Sequence, residues 1–272
     1  MHSFPTELAR LRVRNPAGDV RIETADVAET TVELTPLNDS DATRQAIEKA
    51  RVEARGDEVT VELEGRIWTI SIGPWGIGSA KVSVRITCPH GSTLDCDTAS
   101  ADVKVHGTLG DTRLRTASGD LSLEHVDGSF GSRSASGDLR LERVTGRVEA
   151  HTVSGDVEIG EAIDGVEINS VSGDVEVREA SGHLTVASIS GDQQIRAAGP
   201  GEIALKSVSG DVQVAIRRGL RIHLDVNSVS GSIHSELDVS DTPAPTAGPE
   251  AGLRVRTVSG DVKISRAAEA YA

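Results

Sequence analysis

Seven aspartates, Asp120, Asp138, Asp156, Asp174, Asp192, Asp211 and Asp261, each follow a glycine, namely Gly119, Gly137, Gly155, Gly173, Gly191, Gly210 and Gly260, and each pair follows a serine. A carboxylate at a fixed place in a repeat is the most regular chemical group of this chain. If successive copies stack as strands do, neighbouring carboxylates lie about 4.8 Å apart and repel by roughly 0.9 kcal/mol per pair even at the dielectric of water. Two arrangements offset that repulsion. In the expected one, each Asp accepts hydrogen bonds from its own turn. In the other, Ca²⁺ ions line the column, because a hard cation gathers carboxylate and carbonyl oxygens. The Gly-Gly-x-Gly-x-Asp pattern of calcium-binding rolls is absent, so no metal site is assigned and calcium is kept as the lesser alternative.

Serine and aspartate recur together, yet a catalytic triad is one preorganised site with a base and an oxyanion hole, and nothing distinguishes one copy from the others. The eight histidines fall at unrelated repeat positions without metal-ligand spacing. The glycines sit between strands rather than ahead of a helix, which excludes a phosphate loop. The expectation is therefore a protein with no catalytic residues and no cofactor. Gln193 and Gln194, where a regular Val is lost, are the one visible departure within the even run, and corner filling accounts for them.

A second column precedes each turn. Thr98, Thr116, Ser134, Thr152, Ser170, Ser188, Ser207, Ser228 and Thr257 stand two residues ahead of the repeat position. Between the two lie Ala99, Ala117 and Ala135 in the early repeats, then Val153, Val171, Ile189, Val208, Val229 and Val258. On a regular strand these two columns cannot both point inward. Strict alternation buries the hydroxyls and exposes the aliphatics as an apolar ridge suited to association; a bend at the corner does the reverse. Both readings stand at this point.

These columns require stacked elements to hold them. The glycines at 119, 137, 155, 173 and 191 are 18 residues apart, and a short fixed period marks a solenoid. Three and five residues after each repeat Ser come apolar pairs such as Val157 and Ile159, and six and four before it pairs such as Val166 and Ile168. Polar residues lie between them, so each coil carries two alternating strands. The fold expected is all-β, a parallel β-solenoid of about 18 residues per coil, with a three-sided coil as the alternative. Residues 92–272 form its repeats, with a flexible Pro- and Gly-rich insertion at 240–252. Residues 1–91 form a β-rich segment that caps and enters it. Within that segment 39–55 read as the one helix, with Asp39, Ser40 or Asp41 as N-cap and Gly56 at its end. Strands are expected at 67–70, followed by a Gly-Pro-Trp-Gly-Ile-Gly loop at 73–78 that offers Trp75 and Ile77.

A net charge of −14 and a pI near 5.0 argue against nucleic acid as a partner. No stretch approaches the roughly 20 apolar residues of a membrane span, and the N-terminus lacks the basic start and apolar run of a secretory signal, so the cytoplasm is expected. Cys88 and Cys96 are read as buried thiols rather than a disulfide framework.

The opening Asn15-Pro-Ala-Gly-Asp-Val-Arg-Ile22, the helix-bearing insertion, Val-Arg-Ile-Thr-Cys-Pro-His-Gly at 84–91 and the serial Thr-Val-Ser-Gly-Asp-Val closely resemble the bacterial putative-adhesin β-repeat family, domain of unknown function 4097. The resemblance covers nearly the whole chain. It implies a right-handed parallel β-solenoid, no established catalytic residues and an association with envelope-stress or surface proteins. Together these readings describe a non-enzymatic scaffold that associates with protein and self-assembles through the strand edge of its last coil, Leu253 to Ile264. The alternative is a regulatory docking partner of an envelope-stress or transcriptional system, engaged through 240–252 or the aliphatic column.

Overall fold

The computed structural model describes residues 1–63, 80–237 and 249–268, which form two compact units, Met1–Gly137 and Asp138–Ala272. The strand expected at 67–70 and the loop at 73–78 lie outside the described residues, as does most of the insertion at 240–252. Apart from one short helix, the described residues are all β.

In the first unit the elements are β1 (His2–Pro5), β2 (Arg10–Ala25), β3 (Glu29–Pro36), α1 (Asp41–Glu48), β4 (Arg51–Arg55), β5 (Glu58–Glu62), β6 (Val82–Pro89), β7 (Thr93–Leu109), β8 (Thr112–Thr116), β9 (Leu121–Val126) and β10 (Phe130–Ser136). Strands β2 and β7 run parallel along almost their whole length, from Arg10 opposite Thr93 to Glu23 opposite His106. Residues 10–25 are thus a coil in their own right. The first half of β2 also pairs with β5 and the second half with β6, both parallel. Antiparallel strands then close this region: β4 on β5, β3 on β6 and β1 on β3.

The helix is shorter than the sequence suggests. Ser40 caps it, with its hydroxyl accepting from the Thr43 N–H, and Thr43 and Ala46 face inward, but it stops at Glu48. Residues 51–55 leave it because their alternation lets Val52 and Ala54 pair with Val61 and Val59 of β5. Gly56, expected to end a helix, instead lies in the turn of that hairpin.

The second unit holds β11 (Leu139–Val144), β12 (Val148–Ser154), β13 (Val157–Ala162), β14 (Val166–Ser172), β15 (Val175–Ala180), β16 (Leu184–Ser190), β17 (Gln193–Ala198), β18 (Gly201–Ser209), β19 (Val212–Ile216), β20 (Arg221–Ser230), β21 (Ile233–Ser235), β22 (Glu250–Ser259) and β23 (Val262–Arg266). All of their pairings within the unit are parallel. Val148, Val166, Leu184, Ile203 and Leu253 stand in one column, and Val157, Val175, Gln193, Val212 and Val262 in another. Nearly every aliphatic in these columns is under 3% exposed. Burying each such side chain stabilises by about 1.5–3 kcal/mol, and their alternation with polar residues is what selects strand over helix.

One expectation fails at the C-terminal end. Coil β22–β23 is last in sequence but not in space: β22 lies between β18 and β20, and β23 between β19 and β21. The strand edge sought at Leu253 to Ile264 is therefore already paired on both sides. Among the described residues β20 pairs only with β22 and β21 only with β23, so the edge belongs to 221–235. The chain passes over one coil position between Ile216 and Arg221, and the 29-residue interval between Ser230 and Ser259 gives it the length to return there.

Candidate functional site

The aspartate column is built differently from the expectation. In the second unit the Asp174 N–H donates to Asp156 Oδ1 at 2.8 Å, the Asp192 N–H to Asp174 Oδ1 at 2.8 Å, and the Asp211 N–H to Asp192 Oδ1 at 2.8 Å. Asp156 N–H meets Asp138 Oδ1 at 2.9 Å, and Asp261 N–H meets Asp211 Oδ1 at 2.8 Å. In the first unit Asp120 N–H donates to Asp102 Oδ1 at 3.1 Å. Each carboxylate thus serves the adjacent coil, not its own turn. The corner interrupts the backbone ladder, so the Asp N–H has no carbonyl opposite it, and the side chain of the neighbouring coil supplies the acceptor.

The last member of this series explains its own sequence. Asp261 Oδ1 accepts from the Ser232 N–H at 2.8 Å, and this hydrogen bond, ahead of one from the Ser232 side chain, holds the Asp261 carboxyl below the usual range. Ser232 occupies the place of the repeat Asp. No described coil follows 221–235, so a carboxylate there has no N–H to accept from. With one carboxylate oxygen of each Asp committed to an N–H, the column is a hydrogen-bonded staple. Among the described residues no group of three or more His, Cys, Asp or Glu is gathered as metal ligands.

The corner ahead of each turn resolves the open question of parity. Thr152, Ser170, Ser188, Ser207 and Thr257 are 4–8% exposed, whereas Val153, Val171, Ile189, Val208 and Val258 are 43–54% exposed and Val229 is 78% exposed. Alternation persists through the corner, with hydroxyls inside and aliphatics outside. Thr152 and Ser170 donate to the carbonyls of Ser154 and Ser172 at 3.3 Å each, which holds the corner tight. In spatial order the column runs 153, 171, 189, 208, 258, 229. At strand spacing that is an apolar ridge roughly 24 Å long.

Next to the ridge the outward positions are His151, Asn169, Ala187, Lys206 and Arg256, so an aliphatic surface is particular to this column. Farther out, arginine and glutamate interleave between coils: Arg140–Glu158 at 2.7 Å, Arg178–Glu158 at 3.0 Å, Arg196–Glu176 at 2.6 Å and Arg217–Glu179 at 2.6 Å. Arg140, ahead of Arg178, holds the Glu158 carboxyl below its ordinary range. These exposed pairs contribute little individually but commit the surface charges to one another.

Gln193 is fully buried in a column of Val, with its amide Nε2 donating to Ser188 Oγ and to the Lys206 carbonyl at 2.7 Å each. It bridges adjoining coils across the corner. Both cysteines are free and buried, and burial pushes the Cys88 thiol up to about 11 and the Cys96 thiol higher still, helped there by Asp97 and Asp95. Neither is a nucleophile in this state. The edge coil β20–β21 was not singled out by the sequence reading. Its signal was Ser232, the one repeat in this stretch that lacks the aspartate.

Among the described residues no helix is long and apolar enough to cross a membrane. The Toastrack DUF4097 family model matches residues 8–265. Among solved structures, a putative adhesin from Bacteroides fragilis NCTC 9343 is 11% identical with a TM-score of 0.44, over 97% of this chain and 95% of that one. A putative adhesin from Parabacteroides merdae ATCC 43184 is 10% identical with a TM-score of 0.45, over 97% and 94%. A putative lipid binding protein from Parabacteroides distasonis ATCC 8503 is 12% identical with a TM-score of 0.42, over 98% and 96%. No curated protein matches the sequence.

Proposed function

The chain belongs to the Toastrack DUF4097 family, and on that premise we propose that it is a non-enzymatic β-solenoid scaffold that associates with protein through its aliphatic ridge. A right-handed winding of about 18 residues per coil is part of the proposal. The aspartate hydrogen bonds that span 18 residues, from Asp156 to Asp138 and onward, support that coil length.

The observation that carries the reading is the run of Val153, Val171, Ile189, Val208, Val258 and Val229 on adjacent strands, all exposed. Single exposed aliphatics are ordinary on any surface, but a contiguous row is a feature that marks interaction sites. Burial of the neighbouring hydroxyl column makes the row necessary in geometry but not in chemistry: Thr, Lys or Gln would serve the outward positions equally well for folding. The non-enzymatic reading is supported by the equivalence of the polar columns, since among the described residues no coil gathers a nucleophile, a base and a donor that the others lack.

The test places a photo-crosslinking residue at Val208 on the ridge and, separately, at Gln213 on another outward column, in the full chain inside cells. Discrete protein adducts are expected from Val208 and not from Gln213. Replacing Val171 and Ile189 together by Asp should remove the adducts while changing stability by no more than about 0.5 kcal/mol per site, as exposed positions allow. Equal adducts from both positions, or none from Val208, would overturn the reading.

A further inference from the structure

We propose that a second copy of this chain pairs with the uncovered edge strand β20 in antiparallel fashion, about a two-fold axis at Leu224, to form a closed dimer. This deepens the association reading by naming one partner and one surface, and it rests on that reading only in treating the protein as a scaffold.

Among the described residues nothing covers this edge. Leu224 stands opposite Leu253, Val226 opposite Val255 and Ile233 opposite Val262. Leu253, Val255 and Val262 are at most 1% exposed, whereas Leu224 is 37% and Ile233 49% exposed. Core columns therefore end in open side chains. Residues 221–235, Arg-Ile-His-Leu-Asp-Val-Asn-Ser-Val-Ser-Gly-Ser-Ile-His-Ser, contain neither Pro nor Lys nor an inward-facing charge, the devices that normally blunt a free edge.

The sequence of β20 indicates what covers it. In an antiparallel pair centred on Leu224, Leu224 meets Leu224 of the second copy, Ile222 meets Val226, and His223 meets Asp225. Every inward position then faces an apolar side chain and the outward His faces a carboxylate, which Arg254 already orients at 3.3 Å. Shifting the centre by one residue to Asp225 would oppose two like carboxylates, which is destabilising. Ser232 argues against a parallel, head-to-tail neighbour: every coil that receives a parallel successor in the second unit offers it an Asp carboxylate, and this coil offers none. A two-fold, isologous contact closes on itself and uses each edge once.

The experiment uses the full chain carrying Leu224→Cys. The two-fold axis puts residue 224 opposite itself, at a Cα separation of about 4.5–5.5 Å, which is within reach of a disulfide. Mild oxidation should convert the protein to a covalent dimer of twice the 28.5 kDa chain, and Val229→Cys, exposed but away from the axis, should form no such dimer. By light scattering the unsubstituted protein should plateau at the dimer mass. His223→Asp, which creates an Asp–Asp pair at each cross-strand contact, should weaken the dimer at least tenfold. A monomer at all concentrations with no crosslink in the Leu224→Cys variant, a mass that keeps growing, or a Val229→Cys dimer in preference to Leu224→Cys would each overturn the proposal. Adding the ridge changes Val171→Asp and Ile189→Asp to the Leu224→Cys chain should leave its covalent dimer intact, so loss of ridge adducts and loss of the dimer report on separate claims.

Discussion

Replacing Gly173 by Ala should destabilise the protein far more than the same change at Gly219, although both glycines hold backbone conformations that L-residues avoid. Gly173 has φ +117° and Gly219 has φ +80°. At Gly219 no atom lies within 4 Å of an added Cβ, so only the backbone penalty applies, about 1 kcal/mol. At Gly173 the Cβ would sit 2.3 Å from the Gly155 carbonyl oxygen and 2.7 Å from its carbon. Those are backbone atoms of the adjoining coil, flanked by the Asp174 to Asp156 hydrogen bond, and they cannot swing aside as a flexible side chain would. Relieving the clash means parting two coils at their tightest corner, an overpacking cost of about 1–3 kcal/mol beyond the backbone term. The difference between the variants is then about 2 kcal/mol, or roughly 5 °C in melting temperature for a chain of this length. Thermal melting followed by circular dichroism, with urea unfolding as a second measure, reads both variants against the unsubstituted protein. If Gly173→Ala melts within about 1 °C of Gly219→Ala, coil contact at the Gly corner does not limit stability and the steric argument fails.

Asp174→Ala should cost about 1 kcal/mol in urea unfolding because the Asp192 N–H loses its acceptor, while Asp174→Asn, which keeps an acceptor oxygen, should cost clearly less; equal losses would mean that charge and not the hydrogen bond matters. Acid should destabilise the fold through its paired carboxylates. His106, then the Gly107 N–H, lowers the Glu124 pKa, and Arg140 lowers that of Glu158; a depressed folded pKa gives stability that is present above the unfolded value and is lost as pH falls through the folded one. Melting temperatures taken from about pH 6 down to about pH 3 should therefore decline at the acid end, and Glu158→Gln should flatten part of that decline; an unchanged acid limb would refute the assignment. Neither thiol should react with a disulfide reagent at neutral pH until the protein unfolds, since burial raises the Cys88 thiol to about 11, and rapid labelling of the native state would contradict that burial.

Much of the architecture was legible because it is written in alternation. Val157-Glu-Ile159 and Val166-Glu-Ile168 can satisfy water on one side and a core on the other only as strands, and the 18-residue recurrence brings like residues into register. What could not be read were relations between repeats. Coils with equivalent columns fit any neighbour equally well, so local pattern does not say that Leu253 lies beside both Ile203 and Leu224. The parity of Ser170 and Val171 was open for a related reason: a corner can either keep or break alternation, and both choices leave the same string of letters. For Arg51-Val-Glu-Ala-Arg55, helix and hairpin were both compatible with the letters until β5 supplied a partner for Val52 and Ala54. The aspartate column stands out in the letters as a group, but the expected acceptor role within its own turn falls to the neighbouring coil instead, because the need for an acceptor arises from a gap in the ladder that only stacking creates.

The placement of 250–266 between 201–216 and 221–235 bears on how the chain acquires its structure. A ribosome releases 221–235 well before 250–266, and in that interval the edge of β18 and β19 is free. Leu224 and Val226 could then settle on Ile203 and Leu205 in the same parallel register that Leu253 and Val255 occupy in the finished protein. The early strand must vacate or never take that seat, so the final coil forms by displacement or by arriving first at a waiting edge. Winding coil by coil from the N-terminus cannot complete this end, and its last step is a contest between two segments for one position.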